Sequence, residues 1–248
     1  MYKRFSIPGK YNEILRSNRW FVQSGELLEQ SIKRKNEMRR EKAIPTFNEK
    51  LCKKMQLTTP FRKLIFNTLI SCEDYVDCSR NLIQIGKKKH FEVIGVCGHV
   101  GLSEKTFNPF YAHLFHYLSY IDRNYKRGIL FFVREKIANF ETLSVLQRKN
   151  LALLTSELLR LQVLPLISLK CIDFADMTDL YKDFLSQTLK NLLDSNGDQL
   201  LADIFKRLPK KDSFTISIKL FVNMFLGADY KNRLKQIKEN SFAADKIF

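Results

Sequence analysis

From Leu57 to Gly227 the apolar residues recur three or four positions apart, the spacing that gathers side chains on one face of an α-helix. Thr59 supplies an N-cap and Pro60 a first helical residue, which predicts a helix running to about Ile70. Ser71, with Asp74 three residues on, resembles a capping box and predicts a second helix that runs to Ile85 and stops at Gly86. Asn108-Pro109 repeats the cap-plus-proline signal, followed by Phe110, Leu114, Tyr117, Leu118 and Ile121 at helical intervals. Leu151, Leu154, Leu158 and Leu161 predict a helix ended by Pro165, and Leu180, Phe184, Leu189 and Leu192 predict another. Ile216, Ile218, Leu220 and Val222 alternate like a strand, whereas Phe214, Ile218, Phe221 and Phe225 fit a helix closed by Gly227. A lone strand among helices would leave its backbone groups unpaired, so the segment is expected to be a buried helix. The whole predicts an all-α fold of about ten helices, stacked as antiparallel hairpins in a bundle or a HEAT-like solenoid.

Residues 1–56 break this pattern. The stretch 23–42 is polar and charged with little apolar face, and Ile44-Pro45-Thr46 interrupts it, which suggests an arm with partial helix. A polar tail occupies 228–248, leaving 57–227 as the helical domain. The chain has 248 residues and a net charge of +16. The first 56 residues hold 14 basic and 6 acidic side chains, so half of the excess charge lies in under a quarter of the chain. A basic arm suits a polyanion such as RNA, because neutralised phosphates release counterions. A solvated surface that aids solubility is the alternative. Arg34, Lys35, Arg39 and Arg40 form the densest run and are the first RNA-binding candidates. Lys87, Lys88 and Lys89, after Gly86 in a loop between helices, are the next, unless that loop is merely solvated.

Catalytic signatures are missing from the sequence. It has no phosphate-binding glycine loop, no Gly-x-Gly-x-x-Gly and no Gly-x-Ser-x-Gly elbow. Asp194-Ser-Asn-Gly-Asp198 imitates the start of a calcium loop, but Gln199 stands where the glycine belongs and Phe205 where the bidentate glutamate belongs, so a turn between helices is expected. The five cysteines are scattered, without a Cys-x-x-Cys pair, and are expected to be reduced and mostly buried. His113 and His116 lack further metal ligands nearby in sequence. No apolar run reaches the ~20 residues of a membrane span. The N-terminus lacks the apolar core of a secretory signal. The expectation is a soluble intracellular protein that is not an enzyme and uses no metal or cofactor.

Several motifs carry a family resemblance. Thr59-Pro-Phe-Arg-Lys-Leu-Ile-Phe-Asn-Thr-Leu-Ile-Ser-Cys-Glu-Asp-Tyr-Val-Asp77 resembles the opening of an MA-3 domain, a helical module of translation-initiation scaffolds. Glu104-Lys-Thr-Phe-Asn-Pro-Phe-Tyr-Ala112 is similar to the nucleolar family that joins a MIF4G domain to an MA-3 domain in small-subunit ribosome biogenesis. Tyr120-Ile-Asp-Arg-Asn-Tyr-Lys126 and Leu166-Ile-Ser-Leu-Lys-Cys-Ile-Asp-Phe174 fit the same family. Arg19-Trp-Phe-Val-Gln-Ser24 looks like a degraded form of its tryptophan-containing linker. The likeness covers roughly residues 15–226, and the family's MIF4G domain, its dock for a DEAD-box helicase of the initiation-factor 4A type, is expected to be absent.

The resemblance implies a scaffold of the small-subunit processome in the nucleolus, with pre-rRNA and processome proteins as partners. It also implies a place for helix-start acids: Glu73, Asp74 and Asp77 occupy the position that faces a helicase in some MA-3 domains. Capping and interaction with the helix dipole explain the same acids locally. Trp20 and Phe21, apolar residues in a polar arm, suit docking to a partner or back onto the domain better than base stacking. The competing reading is an MA-3 adaptor of a DEAD-box helicase in splicing or translational control, which the likeness of Phe214–Gly227 to a spliceosomal C-terminal helix supports.

Overall fold

The computed structural model describes residues 52–53, 55–194, 197–209, 212–230 and 232–236. The chain divides into two units, 1–49 and 50–248. All described residues lie in the second, so Trp20, Phe21, Arg34, Lys35, Arg39 and Arg40 are outside them. The described residues contain no strand. They form helices α1 (Pro60–Ser71), α2 (Tyr75–Ile85), α3 (His90–Ser103), α4 (Phe110–Ile121), α5 (Arg123–Ala138), α6 (Val145–Arg160), α7 (Asp179–Asp194), α8 (Asp198–Lys206) and α9 (Ser213–Phe225), with 3-10 turns at Phe140–Thr142 and Leu166–Cys171.

The second unit is all-α, built of stacked hairpins in two layers. Helices α1, α3 and α5 and the second 3-10 turn pack side by side in one layer, and α2, α4, α6 and α7 in the other. Within the first layer the helices run parallel: Arg62 of α1 meets Glu92 of α3 at 3.2 Å, while His90 and Gly98 of α3 face Asp122, the cap of α5, and Phe132 within it.

Helix boundaries follow local chemistry. Thr59 Oγ1 accepts the Arg62 N–H at 3.2 Å and Pro60 occupies the first turn of α1, as its sequence predicts. Ser71 belongs to the last turn of α1, and the cap of α2 is Asp74, so the expected Ser71 capping box is corrected to a single aspartate cap. Ser144 and Gln147 form a capping box on α6 that the sequence reading passed over. Helix α6 ends before Pro165. Gln162 takes φ 56°, its N–H donates to the Leu159 carbonyl and the Val163 N–H to the Leu158 carbonyl, the paired bonds of a Schellman motif. Gly227, at φ 84°, closes α9 as expected. Gln56 repeats the left-handed turn at φ 55°, and the buried Cys52 and Leu57 flank it, so the packed unit takes in residues that composition groups with the arm.

Helix α9 departs from its expectation in another way. Phe214, Ile218, Phe221 and Val222 are buried, but Ile216, Leu220 and Met224 on the opposite side are 54–71% exposed. The alternation in sequence mixes these two faces, so the segment is a helix with one buried apolar face and one exposed one.

Glycines decide how closely α3 is approached. A Cβ on Gly98 would fall 2.3 Å from the Phe132 ring, and one on Gly101 2.8 Å from the Tyr111 ring. Because Phe132 is only 3% exposed, its ring has nowhere to retreat. Gly98→Ala is therefore expected to destabilise the protein by about 1–3 kcal/mol in chemical denaturation despite alanine's better helix propensity. Phe132→Leu in the same chain should recover part of that loss.

His99, on α3, places Nε2 3.2 Å from the Met55 carbonyl oxygen, tying the entry of the unit to its centre. Burial, then the charge of Lys136, lowers its pKa below the ordinary value. A depressed histidine pKa means the unfolded chain takes up its proton first, so this stability is present above the ordinary histidine pKa and is lost as pH falls toward the folded value. Thermal melts at pH 7.5 and 5.5 should show a larger fall in Tm for wild type than for His99→Gln.

Candidate partner and RNA interface

The three acids at the start of α2 differ in their surroundings. Asp74 is extended, at φ −137°, and its Oδ1 accepts the Asp77 N–H at 2.6 Å. It serves as the cap. Glu73 is exposed in the connection before it, whereas Asp77 is half-buried beside the Cys72 thiol. Cys72 donates to the Thr68 carbonyl at 2.9 Å, and Asn81 Nδ2 lies 3.6 Å from its sulfur. Bonding with Cys78 lowers the Cys72 pKa and raises that of Cys78, and burial pushes Cys97 up to about 12. All five cysteines are free, with Cys171 exposed. Tyr75, between Asp74 and Asp77, rests on His113 and Tyr117, with ring centroids 5.6 and 6.5 Å away. His113 is thus placed in an aromatic contact.

The three lysines also separate. Lys89 Nζ sits 4.3 Å from the centre of the Phe61 ring and 3.9 Å from Glu92, which Arg62 also pairs. That joins α1 to α3 and occupies Lys89. Lys87 and Lys88 are exposed. Beyond them, His90 Nε2 pairs with Asp122 at 3.1 Å and its ring stands edge-on to Tyr125 at 4.6 Å. Asp122 caps α5 by accepting the Asn124 N–H at 2.8 Å, and that backbone bond, ahead of His90, holds its carboxyl below the usual pKa. The lysine loop therefore abuts the start of α5, where Arg123, Lys126 and Arg127 are exposed.

The sequence reading missed the aromatic pair beside this loop. Phe91 of α3 and Phe131 of α5 are 52% and 58% exposed and meet edge-to-face at 5.8 Å. The step of three and four residues through Arg123, Arg127, Phe131 and Arg134 was visible in the sequence, but the partner ring on α3 comes only from tertiary packing.

The other motifs are built into the core. Glu104 Oε1 accepts the Tyr111 hydroxyl at 2.6 Å, and the Phe110 N–H donates to Asn108 Oδ1 at 3.0 Å. Pro109 already has helical angles, φ −61° and ψ −18°, so Asn108 and Pro109 start α4 as expected. In the segment 166–174, Leu166, Leu169 and Ile172 are buried and Phe174 meets Phe214 and Phe221 of α9 at 5.7 and 6.4 Å. An open cleft of about 450 Å³ lies beside it, lined by Arg134, Ile167, Lys170 and Cys171. Among the described residues no group of three His, Cys, Asp or Glu side chains is placed to hold a metal ion, and no helix is long and apolar enough to cross a membrane.

No family model matches the chain. It is 33% identical over 181 residues to nucleolar MIF4G domain-containing protein 1 of Mus musculus, across 71% of this chain and 21% of the mouse protein. This is homology over most of the chain. The Drosophila melanogaster homologue of that protein is 31% identical over 179 residues, covering 71% of this chain and 21% of its own length. Suppressor of glycerol defect protein 1 of Schizosaccharomyces pombe is 25% identical over 185 residues, 70% of this chain and 24% of the yeast protein. The chain spans about a fifth to a quarter of the length of these curated relatives.

Asp74 and Glu73 offer a direct comparison of capping with exposed charge. Asp74→Ala is expected to cost about 1 kcal/mol in urea denaturation, the usual value of an N-cap aspartate. Glu73→Ala, which breaks no bond, should stay within about 0.5 kcal/mol of wild type.

Proposed function

We propose that this chain is a non-catalytic helical scaffold of the nucleolus that acts in pre-rRNA processing and small-subunit assembly, as part of the small-subunit processome. The observation that carries the reading is its homology to nucleolar MIF4G domain-containing protein 1. The fold supports it: stacked hairpins offer extended helical surfaces, the kind used by repeat proteins to hold several partners. A net charge of +16 supports contact with RNA. The MA-3 likeness of Thr59–Asp77 supports a DEAD-box helicase of the initiation-factor 4A type among the protein partners. Glu73 is the acid best exposed to meet it, because Asp74 is engaged as a cap and Asp77 is half-buried. In this reading Arg34, Lys35, Arg39 and Arg40 contact pre-rRNA, with Lys87 and Lys88 available beside the helical unit, and Trp20 and Phe21 dock on protein.

The test is gradient sedimentation of the tagged full chain from nucleolar extract. It is expected to travel with small-subunit precursors and their proteins. Recovery with spliceosome components instead would replace this reading with the splicing adaptor. Replacing Arg34, Lys35, Arg39 and Arg40 together by Ala should weaken RNA binding and lower its log–log salt slope by up to about 0.7 for each phosphate left without a cation. Unchanged affinity would take the arm out of the RNA interface.

A further inference from the structure

Arg123, Arg127, Phe131 and Arg134 succeed one another at steps of four, four and three residues, which sets them on one stripe of α5. All four are exposed and no acid lies between them on that stripe. None of the three arginines forms an ion pair among the described residues, although the neighbouring Lys136 does, with Glu135. Arg127 and Arg134 stand about 10 Å apart along the helix axis, with Phe131 between them.

Parallel packing of α3 beside α5 brings Phe91 edge-on to Phe131. One turn beyond Phe91 is Gly95, where an added Cβ would meet nothing within 4 Å. The two rings are therefore open above that position, while arginines flank them along α5. Beyond Arg134 the stripe leads into the cleft bordered by Ile167, Lys170 and Cys171.

Charge decides what suits this ridge. Arginines and aromatic rings are also enriched on protein-docking surfaces, but three arginines without an ion pair among the described residues, with the nearby Glu135 held by Lys136, give this stripe a net positive charge that suits a polyanion. Accessible rings between basic side chains match the stacking platforms on which unpaired bases rest while phosphates meet the charges. We propose that this α3–α5 ridge binds single-stranded RNA, with Phe91 and Phe131 stacking on unpaired bases and Arg123, Arg127 and Arg134 holding the flanking phosphates. The inference rests on the reading that the chain works on RNA, and assigns that contact to the helical unit in addition to the arm.

The test uses the full chain and a fluorescein-labelled 12-nucleotide single-stranded RNA carrying 4-thiouridine. Binding is followed by anisotropy across a salt series, with crosslinked peptides mapped by mass spectrometry. Arg127→Glu with Arg134→Glu should weaken binding at least tenfold and make the salt slope shallower by roughly 1.4, two phosphates at about 0.7 each. Phe91→Ala with Phe131→Ala should weaken binding roughly tenfold at an unchanged slope and abolish the crosslink to α3 and α5. All four positions are exposed, so variants with melting temperatures matched to wild type are obtainable. Wild-type affinity in both double variants, or crosslinks confined to other segments, would overturn the proposal. Wild-type RNA affinity with loss of a protein partner would overturn it in favour of a peptide-docking face. The functional reading fails separately: a chain absent from small-subunit precursors that still binds RNA through this ridge would leave the ridge and remove the processome.

Discussion

Helix α3 is the constraint around which the second unit is arranged. From Val93 to Leu102 it is buried except at Gly95 and His99, so the carbonyls at its C-terminal end have no water to turn to. Asn150 of α6, itself 1% exposed, answers them by donating Nδ2 to the carbonyls of Leu102 and Glu104 at 3.1 and 2.8 Å. Glu104 then uses its carboxylate to accept from Tyr111, whose ring reaches α3 only because Gly101 has no side chain. One buried amide thereby fastens the end of α3 to both the α4 entry and the second layer. An unpaired carbonyl in that position would cost about 1–3 kcal/mol, a large share of a domain's net stability.

That arrangement explains why the string Glu104–Ala112 is so distinctive without any of its residues needing to touch a partner. Glu104 and Tyr111 bond to each other, Asn108 and Pro109 initiate α4, and Ala112 is fully buried. The string Tyr120–Lys126 works similarly, with Asp122 capping α5 and Tyr125 buried beneath His90. Its first residue, Tyr120, is 87% exposed and takes no part in this packing. The motifs that point to a family are therefore chiefly instructions for joining consecutive hairpins. Exposed residues between the motifs are left to make external contacts, which is why similarity alone does not assign them.

Features carried by neighbouring residues were legible in the sequence: the Thr59-Pro60 start, the Gly86 and Gly227 stops, and the helical period through α4 and α7. The left-handed turn at Gln162 was not, because glutamine carries no preference that marks it, and Pro165 three residues later drew the boundary too far. Asp74 prevailed over Ser71 as the cap because Ser71 still bonds backward into α1, through the Thr68 carbonyl at 3.1 Å. The two-faced character of α9 was illegible for a different reason: both faces are apolar, so periodicity cannot say which is covered. The ridge of Phe91 and Phe131 joins residues forty apart in sequence and needs the parallel packing of α3 and α5 to exist. The arm candidates lie outside the described residues.

The same packing sorts the charges. Glu92, Asp122 and Asp212, acids placed next to basic partners on other elements, are drawn into pairs that tie α1 to α3, α3 to α5 and the Leu166–Cys171 turn to the start of α9. Such exposed pairs contribute little stability each, but they fix where positive charge is neutralised. Lys89 and Lys170 are held in this way, whereas Arg123, Arg127 and Arg134 pair with none of the acids that bridge two helices. Their spacing puts three cations without an ion pair among the described residues in a row on α5, the helix that also presents Phe131. A basic surface spread evenly over the unit would attract a polyanion without orienting it. A row of arginines along one helix beside two accessible rings sets a direction along which an extended strand can lie.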